Sequence, residues 1–500
     1  MKKEIPILKK ISAISLFAGV LIIGISGCKK SDDAGNKNTD PADTKGILEQ
    51  VASKKDPVIE IAGTNQVQDL GDYYAAKTAG TLAYQWGYAL LRMEETMRDY
   101  IDVPNPKPAT SYRAPLNQIG WARTLPTAAD ADMPTANNDT FYLSAVVDLQ
   151  QPMILSTPDT KDRYYVVDVF DMYQNLISYI GRRETGTKPS LFAIVPPNWK
   201  GSLPSGISKV ITPSTQKVWL WGRLNVKEGE DIKQLNALQD QFKLVSLAEF
   251  NGKPASKTAT SLPALPQVDQ KDSLGFYKKL AFVMAYNPIP VADKSLVGQF
   301  EKYGLTPGKF DPSKLNKMQR KGLYDATLEA PLSIIASVKS AASVVNGWQW
   351  VSKLDNFGYD YALRSMVSGP YLGGQGEKEA LYPIRYTDSD NNALEGKNTY
   401  KISFDKEPPV DAFWSLTMYD ANNKLLVKNE LNRYKISNDM KGFAKKADGS
   451  FDIIISNAKP ANTRNWLPAP KGGFYLILRL YQPSEEVLNG KYKIPQVVKQ

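Results

Sequence analysis

The chain has 500 residues, 42% hydrophobic and 23% charged, with 34 glycines and 33 prolines. That balance describes a folded globular protein and excludes a disordered chain or a collagen. It holds one cysteine, no histidine and a net charge of +10. An intrachain disulfide, a Cys/His zinc site, Ser-His-Asp or Cys-His catalysis and an imidazole pH switch are thereby excluded. The chemistry left is that of carboxylates, phenols, amines and guanidiniums.

The first ten residues, MKKEIPILKK, are lysine-rich, and an apolar run from Ile11 to Ile25 follows. It has signal-peptide length and is too short to span a bilayer comfortably. It ends in Ile25-Ser26-Gly27-Cys28, which resembles the lipobox of bacterial lipoproteins. The resemblance implies removal of residues 1–27 and acylation of Cys28; a core cysteine behind an ordinary signal peptide is the alternative. Several acyl chains at ~0.8 kcal/mol per buried CH₂ make a stable anchor, so a membrane partner is expected through Cys28. Losing residues 1–27 removes four lysines and one glutamate, which lowers the net charge from +10 to +7. The remaining excess forms no long basic block, which argues against a nucleic-acid partner. Residues 28–45 are polar and read as a flexible tether. The start of that tether, Lys29-Lys30-Ser31-Asp32-Asp33, resembles the charged signals of some surface lipoproteins. The expected location is the cell envelope, anchored to the outer membrane on its periplasmic or surface face.

Residues 46–250 read as an N-terminal domain. Helix is predicted from Thr44 to Tyr100, most clearly where Leu82, Trp86, Leu90, Met93 and Met97 recur near the 3.6 period. Residues 101–138 are rich in Pro and Asn and read as an irregular crossing. Short strands are predicted at 141–143, 163–170, 191–195 and 217–224, where β-branched and aromatic residues alternate with Pro, Gly and Asp turns. Residues 229–249 return to helix, with amphipathic spacing from Asp231 to Leu247. Residues 251–346 read as a helical connector broken near Asn287-Pro288 and Thr306-Pro307-Gly308. Residues 347–500 are predicted β-rich, with strands at 382–386, 398–404, 413–418, 451–456 and 474–481 and a helix allowed around 359–367. Such spacing suggests antiparallel sandwiches, so the fold class expected is α+β.

Two stretches carry a family resemblance. The first runs from Asn137-Asn138-Asp139-Thr140-Phe141-Tyr142 through Asp162-Arg163-Tyr164-Tyr165, Gly181-Arg182, Pro197-Asn198-Trp199 and Trp219-Leu220-Trp221-Gly222-Arg223. The second runs from Pro408-Pro409-Val410-Asp411-Ala412-Phe413-Trp414 through Asn432-Arg433-Tyr434 and Asn465-Trp466-Leu467-Pro468 to Arg479-Leu480-Tyr481. Together they resemble bacterial two-domain proteins built from domain of unknown function 1254, N-terminal, and domain of unknown function 1214, C-terminal. The resemblance implies two antiparallel sandwich-like, jelly-roll-like units with helices before and between them. It implies no reaction, cofactor or catalytic residues.

Among candidate site residues, Asp168 and Asp171 invite a paired-carboxylate reading. A strand alternates faces, however, so residues three apart point oppositely and fail as a single-strand dyad. Asp168 reads first as a buried carboxylate satisfied by Arg163, Arg182 or Arg223, with a site role as the alternative. Arg182 is a further candidate, able to grip an anion but expected to pair with Asp171. Asn138 and Asp139 precede a strand, where they close a turn or form a ligand-binding rim. Trp219 and Trp221 share one strand face, in the core or as a two-ring platform. Asp388-Ser389-Asp390-Asn391-Asn392 starts like a calcium loop but lacks the glycine and glutamate an EF-hand needs, so a hairpin turn is favoured and no metal is expected. Ser214-x-x-Lys217 matches a Ser-Lys nucleophile pattern that arises readily by chance. No cofactor motif occurs. The function expected is binding of a small molecule, lipid or glycan between the sandwiches. The alternative is a histidine-independent hydrolase or lyase using Asp/Glu with Tyr, Lys or Arg.

Overall fold

Alanine and leucine at core spacing let one long helix run through the start of the fold. The computed structural model describes residues 44–56, 58, 65–103, 111–130, 134–254, 262–269 and 272–500. The expected signal peptide, Cys28 and nearly all of the expected tether lie outside the described residues. Helix α1 (Thr44–Ala52) is followed by α2 (Asn65–Ile101). At ~1.5 Å per residue α2 is roughly 55 Å long. The periodic run buries Trp86, Leu90, Met93 and Met97.

The N-terminal strands are β1 (Gly120–Trp121), β2 (Thr140–Asp148), β3 (Met153–Thr157), β4 (Tyr165–Asp171), β5 (Leu176–Gly181), β6 (Ser190–Ile194), β7 (Ile207–Ile211), β8 (Lys217–Asn225) and β9 (Lys243–Ser246). They make a five-stranded sheet, β1-β2-β8-β4-β5, and a four-stranded one, β7-β6-β3-β9. Alternate residues of the first sheet (Phe141, Leu143, Val167, Leu220) pack on Leu155, Phe192 and Ile194 of the second. Helices α3 (Ile232–Gln239) and α4 (Leu247–Phe250) flank β9. The single helix expected over Asp231–Leu247 is thus interrupted. Asp240 caps α3, and Lys243-Leu244-Val245-Ser246 pairs with β3.

The middle of the chain contributes α5 (Gly275–Met284), α6 (Lys294–Gly298), the small hairpin β10 (Leu305–Thr306) and β11 (Lys309–Phe310), and α7 (Lys317–Ala341). These pack on α2 rather than standing apart. Gly80 of α2 meets Ala326 and Leu323 of α7, and Gly322 of α7 sits on the Tyr73 carbonyl of α2. Among the described residues no helix is long and apolar enough to cross a membrane.

The C-terminal strands are β12 (Ala342–Val345), β13 (Trp348–Val351), β14 (Ala380–Leu381), β15 (Ile384–Arg385), β16 (Tyr400–Phe404), β17 (Val410–Asp420), β18 (Lys435–Ser437), β19 (Phe451–Ser456), β20 (Trp466–Pro468), β21 (Phe474–Pro483) and β22 (Val498–Lys499). Helix α8 (Tyr361–Val367) precedes β14, and α9 (Glu485–Leu488) follows β21. One sheet is ordered β12-β13-β15-β21-β17-β18, with β14 also on β21; the other is β20-β19-β16-β22. Trp414, Leu416, Leu478 and Leu480 face Ile402, Phe451 and Ile453 across this second sandwich. The fold is therefore α+β, with two sandwich-like units and the helices gathered around α2 and α7. Most strand pairs are antiparallel, and β6-β7 and β19-β20 are parallel.

Candidate functional site

Each inner sheet has a second face, and these two faces meet. On the N-terminal side they present Tyr164, Val166, Asp168 and Arg223; on the C-terminal side Phe413, Ser415, Thr417, Tyr419, Arg479 and Tyr481. Phe413 stacks on Tyr481 at 4.1 Å, and Tyr164 meets Tyr481 edge-on at 5.2 Å. The polar groups of this seam bond across it. Asp139 is fully buried, receiving Lys435 Nζ at 2.7 Å and Ser415 Oγ at 2.6 Å, while Lys435 also donates to the Asn138 carbonyl at 2.8 Å. Burial pushes the Asp139 carboxyl up, but Lys435 and Arg479 overcome it and hold the group below the usual carboxylate range. The Asn138-Asp139 turn is thus not a solvent-facing rim; it docks one domain on the other.

Asp168 lies at the same seam. It accepts from Arg223 Nη1 at 2.7 Å and from Gln375 Nε2 at 3.0 Å, and Arg223 Nη2 donates to the Gly373 carbonyl at 2.9 Å. Of the three arginines expected as its partner, Arg223 holds it; Arg163 binds Glu230. Burial pushes Asp168 up to about 7 despite Arg223 and Gln375. Asp171 points away, accepting the backbone N–H groups of Tyr173 at 2.8 Å and Asn175 at 3.0 Å and the Ser214 hydroxyl at 3.0 Å. With Asp171 consumed by that turn, Arg182 binds Asp162 at 3.0 Å and Gln482 at 2.6 Å instead of the expected Asp171. Ser214 and Lys217 part company too. Lys217 is buried against Glu94 of α2 at 2.5 Å, and burial lowers its pKa.

Trp219 and Trp221 do share a face, with ring centroids 4.8 Å apart, but they are 1% and 5% exposed. Tyr100, Tyr112 and Tyr142 cover them, so they form core and no open platform. In the Asp388 loop the carboxylate closes a turn, accepting from Asp390 N at 3.0 Å and Asn392 N at 2.9 Å.

A cleft of about 780 Å³ opens at the edge of the seam. Its walls come from β5 and the turn after it (Tyr179, Arg183), the end of α7 (Ser340), the 352–360 loop (Lys353, Asp355) and Lys378. The wall is organised from behind. Arg183 Nε pairs with buried Glu379 at 2.7 Å, Nη1 with Glu184 at 2.7 Å, and the guanidinium lies over the Tyr179 ring at 4.9 Å. The Tyr179 hydroxyl donates to Asp355 Oδ2 at 2.7 Å and accepts from Gly376 N at 2.9 Å. A Cβ at Gly376 would fall 1.9 Å from the Asp355 carboxylate, so a larger residue there would push that carboxylate aside. Tyr179 is the cross-strand neighbour of Asp168, which ties the cleft wall to the seam. Burial raises Glu379, with Arg183 opposing. Sequence reasoning missed Tyr179, Asp355, Gln375 and Glu379, and of the adjacent guanidiniums Arg182 and Arg183 it singled out Arg182. The readable signal was polar residues alternating with apolar ones along a strand, as in Ser415, Thr417 and Tyr419 with their neighbour Arg479, which give the sheet a polar face opposite Trp414, Leu416 and Met418.

Known proteins place this architecture. Residues 116–246 match the family described as "Protein of unknown function (DUF1254)" and residues 379–485 the one described as "Protein of unknown function (DUF1214)". The crystal structure of the VPA0106 protein from Vibrio parahaemolyticus is similar at 25% identity and a TM-score of 0.67, over 85% of this chain and 100% of that one. An uncharacterised protein from Burkholderia cenocepacia aligns over 92% of this chain and 96% of its own at 11% identity and a TM-score of 0.39. No curated protein matches. The chain is a two-domain protein carrying the DUF1254 domain N-terminal to the DUF1214 domain, in the order its residues resemble.

Proposed function

We propose that the mature chain is held at the cell envelope by lipid on Cys28 and binds a small polar molecule, a glycan fragment being the best fit, in the cleft at the domain seam. The cleft itself carries this reading. Its 780 Å³ lies in the range of small-molecule sites, and both domains build it. Charged groups, hydroxyls and the Tyr179 and Phe357 rings line it, which suits a ligand rich in hydroxyls. Lipid tails would take water away from Lys353, Glu377 and Lys378. A thermal-shift screen against envelope oligosaccharides, lipids and aromatic acids tests it. An oligosaccharide should raise Tm, and Lys378→Ala with Asp355→Ala should abolish that rise. No shift from any oligosaccharide, or a shift that survives the double variant, overturns the reading. For the anchor, Cys28→Ala should end incorporation of alkyne-tagged palmitate; continued labelling overturns it.

One observation favours a second reading, a hydrolase or lyase: Asp168 and Glu379 are buried carboxyls, both raised, within electrostatic reach of one another. Both are engaged by arginines inside the seam, which favours binding. Turnover lost in Asp168→Asn at unchanged Tm would reverse that preference.

A further inference from the structure

The outer face of α7 carries an ordered stripe that the core does not use. Tyr324, Leu328 and Leu332 recur every four residues and are 39%, 57% and 68% exposed. Half-buried Ile335 continues the line. At 100° per residue all four fall within about 40° of one direction, and so do Lys317 and Lys321 before them and Lys339 after them. The stripe is therefore an apolar centre with lysines at both ends. The acidic groups beside it are already engaged: Asp325 by Tyr73 and Lys321, and Glu329 by Lys77. Among the described residues no element covers the stripe, and Pro331 within it is compatible with a helix whose inner face is held by α2.

We propose that this face of α7 lies on an anionic lipid surface, Tyr324, Leu328 and Leu332 entering the interface and the lysines meeting phosphates. The inference rests on the anchor reading above. Two considerations select lipid over a second copy of the chain. Self-pairing sets lysine against lysine in either direction, because antiparallel helices centred on Leu328 bring Lys317 to Lys339 and parallel helices bring each lysine to itself; phosphate headgroups accept from Lys317 and Lys339 and add to the pairing that Lys321 makes with Asp325. Second, three large side chains are a small surface, too small to hold a free protein on a membrane. A chain tethered at Cys28, with 36 residues between the anchor and the start of α2 at Asn65, stays within on the order of 100 Å of the bilayer. That local concentration makes a weak contact effective.

The sole native cysteine makes the test direct. Full-length Leu332→Cys and, as a control on an exposed C-terminal loop, Asn422→Cys are purified from membranes, dye-labelled and reconstituted. One set of vesicles is phosphatidylethanolamine with phosphatidylglycerol, the other phosphatidylcholine, each with a nitroxide-lipid quencher. The expected result is one dye per chain and flotation with both vesicles. Quenching is expected at position 332 on anionic vesicles only, absent at 422, and lost when Lys317, Lys321 and Lys339 are changed to Glu. A chain that floats but shows equal fluorescence at both positions overturns the docking and leaves the anchor standing. Protection at 332 that follows protein concentration, with cross-linked pairs, assigns the stripe to a second copy and overturns it as well. A chain that takes two dyes and does not float fails the anchor reading, and this one with it.

Discussion

Two aspartates of the N-terminal sandwich reach into the domain seam, and burial acts on them with opposite net results. At Asp139 the cations win: its folded-state pKa lies below the ordinary value, so its stabilisation is complete above about pH 4 and is lost as pH falls through the depressed value. At Asp168 burial wins, and the folded state holds a proton that the unfolded chain has released. Its contribution therefore declines as pH rises between roughly 4 and 7 and is level above that. Urea unfolding of Asp168→Asn should show a flattened slope across that window, because the amide holds no proton to release. Asp139→Asn should cost about 3–5 kcal/mol at neutral pH, the usual cost of breaking a buried pair, and should remove part of the acid limb. A wild-type slope retained in Asp168→Asn would assign the titration to another group, Glu379 being the neighbour.

Helix α7 is fitted to α2 by the absence of side chains at one point. A Cβ on Gly322 would lie 2.4 Å from the Tyr73 carbonyl oxygen and 2.9 Å from Lys77 N, backbone atoms that cannot step aside. Gly322→Val should destabilise by at least ~1–3 kcal/mol through overpacking. Gly71→Ala, in α2 with nothing within 4 Å of the new carbon, should stabilise by roughly 0.5–1 kcal/mol. Equal urea midpoints for the two variants would refute this account of the packing. The same contrast between what a chain says locally and what its partners decide governs how legible the fold was. The second half of α2 was readable because Trp86, Leu90, Met93 and Met97 keep one period over about three turns. Strands β2, β4, β8, β17 and β21 were readable from dense β-branched and aromatic runs. Strand β9 was not, because Lys243-Leu244-Val245-Ser246 continues a helical spacing and becomes a strand only by pairing with β3. At the candidate site, Asp168 and its arginine were legible from charge on a buried strand. Arg183, Asp355 and Glu379 were not, since Arg183 lies 172 residues from Asp355 and 196 from Glu379, and they come together only when the seam closes.

In the whole molecule the layers run sheet, sheet, sheet, sheet, and the helix α7 reaches from the helical flank to the cleft. The most exposed apolar residue of its stripe, Leu332, lies roughly 12 Å along the helix from Ser340, which the last turn supplies to the cleft wall. A chain resting on α7 would thus hold the cleft close to the lipid headgroups, where envelope glycans are attached. The two sandwiches should also behave as one folding unit, because the central seam is bonded as a core is. Asn137 Nδ2 meets Tyr481 Oη at 2.8 Å, Tyr419 Oη donates to the Ala136 carbonyl at 2.6 Å, and Arg182 reaches Gln482. Each such bond is worth about 0.5–1.5 kcal/mol, more where a charge is involved, and their loss exposes Phe413 and Tyr164 to water. Calorimetry of the wild-type chain should therefore record a single transition. The combination of Asn137→Ala, Arg182→Ala and Lys435→Ala, which touches neither sandwich core, should split it in two. Two transitions already present in the wild type would mean that the seam adds little to either unit, and the cleft between them would then be free to open without unfolding.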